Sequence, residues 1–161
     1  MLKFLARLFP PQTPEISAAE PRDAAAIAKL HAASFHRGWS EEEFASLLLD
    51  HHVIAHRGTT GGKLAGFILS RLAADEAEIL SVAVAASRRS RGVARQLLAH
   101  HLGRLAGLGI KSVFLEVDPG NVPACRLYKR AGFHQVGHRP GYYPPAEGGP
   151  TSALVLRRDL T

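Results

Sequence analysis

Apolar residues recur at helical spacing through residues 21–35, where Ala24, Ile27, Leu30 and Ala33 fall on one stripe. A second helical stretch, 40–50, opens on Ser40 with Glu43 three positions later, the signature of a capping box. It sets Phe44, Leu47 and Leu48 on one face. The period then shifts to that of extended chain. HVIAHR reads as a short strand, TTGG as a hairpin break and KLAGFILSRL as a long apolar strand. In AEILSVAV, Leu80, Val82 and Val84 alternate against Ile79 and Ala83, so both faces are apolar, as in a central strand.

Helical spacing returns from Gly92 to Leu108 through Val93, Leu97, Leu98, His101 or Leu102, and Leu105, and GLGI closes it. KSVFLEV then predicts a buried strand. DPGN predicts a turn, with Asn121 placed to cap the helix VPACRLYKRAG, which Gly132 ends. FHQVGHR and TSALVLRRD read as strands on either side of the loop PGYYPPAEGGP. The break at PPQTP puts the start of the domain near Glu15, after a tail or short helix over residues 1–14. The order β-α-α-β-β-β-α-β-α-β-β predicts one α/β (α+β) domain over 15–161, a mixed sheet packed with helices.

Composition narrows the class. A chain of 161 residues buries a core without staples. Its single cysteine, Cys125, excludes an internal disulfide framework, fits a reducing compartment and reads as a packing residue. No apolar run reaches the roughly 18 residues of a membrane helix. The opening MLKFLARLFPP lacks a long apolar stretch and a cleavage site, so a cytoplasmic protein with no membrane partner is expected. The net charge of +6 favours anionic partners. Nine histidines raise the question of a metal. His51, His52 and His56 cluster, as do His100 and His101, but no spacing sets three ligands on one element, so no metal is expected.

The densest basic cluster, Arg88, Arg89, Arg91 and Arg95, surrounds Gly92 where a strand gives way to a helix. Free N–H groups and the helix dipole make such a turn a phosphate site. A solvated basic turn fits the spacing equally well. No Gly-Lys-Ser/Thr and no GxGxxG is present, and no aromatic platform for nucleic acid lies nearby, so direct nucleic-acid binding is not expected.

The segment R-S-R-G-V-A at 89–94 matches Arg/Gln-x-x-Gly-x-Gly/Ala, and so resembles the GNAT superfamily of acyl-coenzyme A N-acyltransferases. FLEV-x3-N at 114–121, LYKRAGF at 127–133 and GYYP downstream resemble its ribosomal-protein alanine N-acetyltransferase branch. Residues 15–161 share the resemblance. Two departures stand out: Ala94 replaces the second glycine, and Ser90 stands where relatives often carry a basic residue. The family fold implied is a central mixed sheet of about seven strands with about four helices. The resemblance implies acetyl-CoA as cofactor, its diphosphate on Arg89, Ser90, Arg91, Gly92, Val93, Ala94 and Arg95. Its pantetheine arm would lie along the backbone of Val82, Ala83 and Val84, with Asn121 and Tyr128 also in contact.

Glu116 read alone is either a strand-end carboxylate facing solvent or arginine, or a general base with a pKa raised by apolar neighbours. The resemblance favours the base, acting through water, and makes Tyr128 the acid for the leaving thiolate. Trp39, Tyr142 and Tyr143 come from loops that would flank the acceptor groove. The expected acceptor is a protein or peptide N-terminus, alanine of a ribosomal protein above all, served by a monomer or weak homodimer. Other amines (lysine side chains, polyamines, antibiotics) or a non-catalytic acyl-CoA sensor are the alternatives.

Overall fold

The computed structural model describes residues 13–141 and 152–160. The chain runs β1 (Glu15–Ala18), a 3-10 turn (Pro21–Asp23), α1 (Ala24–Ser34), α2 (Glu41–Leu49), β2 (Val53–Thr60), β3 (Lys63–Ala73) and β4 (Glu76–Val84). After a second 3-10 turn (Ala86–Arg88) come α3 (Val93–Gly107), β5 (Ser112–Val117), α4 (Val122–Arg130), β6 (His134–Pro140) and β7 (Ser152–Asp159). The strands form one seven-stranded sheet in the order β1-β2-β3-β4-β5-β7-β6. Every pair is antiparallel except β4–β5, which is parallel. The mixed sheet and four helices agree with the architecture expected from the sequence.

Each face of the sheet buries its own core. On one, Leu97, Leu98 and Leu105 of α3 and Tyr128 of α4 pack on Ile68, Ile79, Val113 and Leu115. On the other, Ile27 of α1 and Phe44 of α2 pack on Phe67, Leu69 and Ala83. The start of α2 follows from its sequence: Ser40 Oγ accepts from Glu43 N–H (3.1 Å) and Glu43 Oε2 accepts from Ser40 N–H (2.7 Å). Such reciprocal capping contributes about 1 kcal/mol.

Two periodicities depart from the sequence expectation. The buried stripe of α1 runs through Ala24, Ile27 and His31, while Ala33 is exposed. In β4 the register shifts opposite Leu69/Ser70, where Leu80 is the extra residue. That bulge carries Ile79 onto the same core as Val82 and Val84, and Leu80 onto the core of Ala83. An inserted residue breaks the alternation of side chains and increases the local twist.

A buried polar chain fixes α3 to the sheet. His101 is fully buried; its Nδ1 lies 2.7 Å from His56 Nδ1 on β2, and its Nε2 lies 2.6 Å from Ser70 Oγ on β3. The contact is as close at Gly66, where a Cβ would stand 2.8 Å from the Ala83 carbonyl and 3.0 Å from Leu97 Cδ1.

Candidate active site

The parallel ladder between β4 and β5 is short. It pairs Glu76–Ile79 with Ser112–Leu115 and then stops. Beyond it, β3 still accompanies β4 as far as Val84, and β7 still accompanies β5 as far as Val117. The two central strands therefore part company immediately after the Leu80 bulge. The facing backbone edges of Val82, Ala83 and Val84 are free to take an extended, amide-bearing ligand between the strands. Ser81 adds a polar atom here: its hydroxyl is buried and has no hydrogen-bond partner among the described residues.

At the end of β4 the chain turns into α3. Gly92 caps that helix in the left-handed region (φ 81°, ψ 8°), and Ser90 is also left-handed (φ 61°). Nothing crowds a Cβ at Gly92 closer than Arg95 Nη2 at 3.5 Å, so the glycine answers a conformational demand, not a steric one. No side chain caps α3, and its first turn holds no acid. By contrast, α2 carries the Ser40 cap and α4 the Asn121 cap. The first N–H groups of Val93, Ala94 and Arg95 are thus left for an external acceptor. Arg91 and Arg95 are exposed beside them. Arg89 is partly committed elsewhere, since its Nε donates to the Val84 carbonyl at 3.2 Å and ties the turn to the strand.

The two candidate proton carriers lie on either side of the opening. Tyr128, on α4, is buried with Phe133 edge-on at 5.6 Å. Burial pushes its hydroxyl up to about 12, with Cys125 adding to the shift. Glu116, on β5, corrects an expectation: it is not enclosed by apolar neighbours. It is exposed and accepts from Arg139 Nη1 of β6 at 3.1 Å (Oε1) and 3.4 Å (Oε2). Its neighbours Val113, Leu115 and Val117 point into the α3–α4 core, which leaves Glu116 on the opposite face. Asn121 performs the capping role, its Oδ1 accepting from Ala124 N–H at 3.3 Å.

On the α1–α2 side, a pocket of about 470 Å³ is lined by Trp39, Glu43, Ser46, Leu47, Asp50, Arg71 and Leu80. Leu80 is the bulge residue, so this pocket reaches the point where β4 and β5 separate. Trp39 is held from behind by His31, which stacks on its ring (4.7 Å) and accepts its backbone N–H at Nδ1 (3.2 Å). Nothing in the sequence pattern marked His31 for this task. Tyr142 and Tyr143 lie outside the described residues.

The histidines regroup. His56 leaves the cluster expected with His51 and His52 and pairs with His101. Asp50, His51 and His52 do bring three donor atoms within 4.8 Å, on consecutive residues of the exposed turn after α2. There Asp50 Oδ1 already accepts from His52 N–H at 2.8 Å.

Comparison with known proteins bears on this geometry. The sequence profile of the acetyltransferase (GNAT) family matches residues 24–133, which span the α1–α2 pocket, the Gly92 turn, Glu116 and Tyr128. The chain belongs to the GNAT acetyltransferase family. It is an N-acetyltransferase that uses acetyl-CoA. Over 133 residues it is 32% identical to the [ribosomal protein bS18]-alanine N-acetyltransferase of Escherichia coli K12, covering 83% of this chain and 89% of that one. The crystal structure of the ribosomal-protein-S18-alanine N-acetyltransferase from Escherichia coli superposes with a TM-score of 0.84 at 29% identity (92% and 95% covered). Arabidopsis thaliana NAA60, solved in complex with acetyl-CoA, shares the fold at a TM-score of 0.78 and 21% identity (91% and 98% covered). The uncapped α3 N-terminus and the parted β4–β5 edges fit this cofactor in both charge and shape: donors for a diphosphate, then free backbone for an amide-bearing arm.

Proposed function

We propose that this acetyltransferase modifies the N-terminal α-amine of a protein, alanine of a ribosomal protein being the foremost acceptor, by direct transfer with acetyl-CoA and acceptor bound together. The observation that carries the reading is the placement of Glu116. It lies on the sheet face of the Trp39 pocket, across the β4–β5 opening from the buried Tyr128. A relative named for ribosomal-protein alanine acetylation matches 83% of the chain, which supports this acceptor class.

Bound acetyl-CoA supplies an activated acetyl thioester. The residues of the turn from Arg89 to Arg95 hold its diphosphate, and the edges of Val82, Ala83 and Val84 hold its arm. An α-amine titrates at about 7.7–8.0, so weak base assistance suffices near neutrality. Glu116 takes the amine proton, through water, as the N–C bond forms and the C–S bond breaks. Arg139 fixes the carboxylate without enclosing it, which leaves it in contact with water for that task.

Tyr128 holds its proton at Oη throughout the working range. A thiol ordinarily titrates near 8.5, well below about 12, so Tyr128 acts as a hydrogen-bond donor to the departing sulfur. Its Oη–H hydrogen bond stabilises the sulfur as the C–S bond breaks and negative charge develops there, and the proton released from the amine leaves through Glu116 and water. Trp39 bounds the acceptor groove.

The deciding experiment is mass spectrometry of peptides incubated with acetyl-CoA. One peptide carries a free N-terminal alanine, and its twin has a blocked N-terminus and an internal lysine. Acetylation of the first alone is expected. Modification confined to the lysine peptide would overturn the α-amine reading.

A further inference from the structure

The net charge of +6 exceeds what the Gly92 turn explains, and the structure shows where part of the remainder is collected. Between α3 and α4 runs a cleft of about 540 Å³ that opens beside Gly92. Five arginines line it, and no carboxylate does: Arg91 and Arg95 at the near end, Arg126 and Arg130 along α4, and Arg158 of β7 at the far end. Its floor is apolar, with Leu98, Leu102 and Leu127. Four arginines elsewhere, Arg22, Arg57, Arg139 and Arg157, form ion pairs with acids. Arg126 and Arg130 form none among the described residues. Arg158 is used internally, donating to the Ala131 carbonyl at 2.7 Å.

Arg126 and Arg130 are four residues apart and so share one face of α4, directed at the cleft. Their backbone positions lie about 6 Å apart along α4, so the two cations stand over the same apolar floor with no acid lining it. Both are guanidiniums and not ammoniums, the geometry suited to forked bonds with a phosphate. The cleft is continuous with the diphosphate turn, so the anion that reaches it most directly belongs to the same ligand. A flat ring on Leu98 and Leu102 and a terminal phosphate between the arginines would use every part of the lining.

We propose that Arg126 and Arg130 receive the 3′-phosphate of coenzyme A, and that this enzyme thereby selects coenzyme A over its 3′-dephospho form. The assignment rests on the acetyl-CoA reading and adds to it a specific subsite on α4. Exposure moderates the effect, since both arginines are in contact with solvent. A charge-assisted bond to a monoester phosphate still corresponds to a preference of about tenfold.

The test is isothermal titration calorimetry of the full chain with coenzyme A and with 3′-dephospho-coenzyme A, with no turnover involved. Wild type is expected to bind coenzyme A about tenfold more tightly, and the preference should shrink in high salt. Arg126→Ala/Arg130→Ala should lose that preference by weakening coenzyme A alone. Its unchanged affinity for the dephospho compound shows that the fold and the Gly92 turn are intact. Equal binding of the two compounds by wild type would refute the subsite. So would a preference that survives in the double variant, which would move the 3′-phosphate to other residues. Failure of both compounds to bind would instead remove the acetyl-CoA reading on which the proposal stands. A single-stranded RNA probe that binds wild type but not the double variant, and is not displaced by coenzyme A, would assign the cleft to nucleic acid and overturn the proposal.

Discussion

The His56–His101 pair makes acid the most informative perturbation of stability. At 2.7 Å, the facing Nδ1 atoms have room for one proton between them, and Ser70 Oγ completes the chain at His101 Nε2. If His101 Nδ1–H donates to His56, then Ser70 donates to Nε2; if His56 donates, then Nε2–H donates to Ser70. Both arrangements use neutral rings. Burial lowers His56 to about 4 and His101 to about 3, and the charges of His100 and Arg104 facing His56, and of His56 and His100 facing His101, push the same way.

In the unfolded chain both rings take up protons below their ordinary value of about 6.5. The folded state does not follow until pH 3–4. Stability is therefore undiminished above pH 6.5 and falls as pH drops towards 4, by about 1.4 kcal/mol per pH unit for each ring. At pH 4.5 the two rings together cost at most about 5 kcal/mol, a large share of a typical folding free energy of about 5–15. Urea denaturation followed by circular dichroism from pH 7.5 to 4.5 measures this loss. The comparison is His56→Leu/His101→Leu/Ser70→Ala, which removes all three polar partners together and leaves none buried alone. Its stability should decline much less steeply below pH 6.5. Parallel pH slopes for wild type and the triple variant would refute the neutral-pair account.

The remaining predictions concern the site. Gly92→Ala forces a Cβ into the left-handed region and should cost about 1–2 kcal/mol and weaken coenzyme A binding, whereas Arg88→Ala should change affinity little; calorimetry with the reverse ranking would return the turn to a solvated role. Glu116→Gln should reduce turnover most below pH 8, where the acceptor amine is protonated, and spare cofactor affinity; full activity across the pH range would remove Glu116 from catalysis. Tyr128→Phe should slow thiol release about a hundredfold, read with a thiol reagent, with the buried ring still packed on Phe133. His31→Leu should raise the acceptor KM several-fold with kcat and the acetyl-CoA KM unchanged, because Trp39 loses its anchor, and His31→Asn, whose Oδ1 can replace Nδ1 as acceptor, should restore it. Burial keeps the His31 pKa below its usual value, with Glu43 opposing, so Nδ1 retains its lone pair at neutral pH.

Signals that depend on near neighbours in the chain were readable without the structure. The Ser40/Glu43 box, the α3 stripe and the Gly92 turn each need only a few consecutive residues, and each stands where the pattern puts it. The β4 bulge escaped because a strand apolar on both faces looks the same in either register. His31 escaped because a polar residue type masked a buried helical position. The partner of Glu116 is 23 residues away on an edge strand, beyond any local pattern. So a carboxylate that appears sheltered in SVFLEV proved to be exposed and paired.

The four-residue ladder between β4 and β5 divides the sheet into a meander of β1 to β4 and a three-stranded unit of β5, β7 and β6, stitched along a seam shorter than any strand it joins. Backbone amides bordering that seam should exchange with solvent sooner than those of β2 and β3, which pair along most of their length. A ligand arm laid between the parted strands closes the seam from the inside and couples the two halves mechanically. Cofactor occupancy and the cohesion of the sheet then become one event, so protection against exchange should rise on both banks of the opening together.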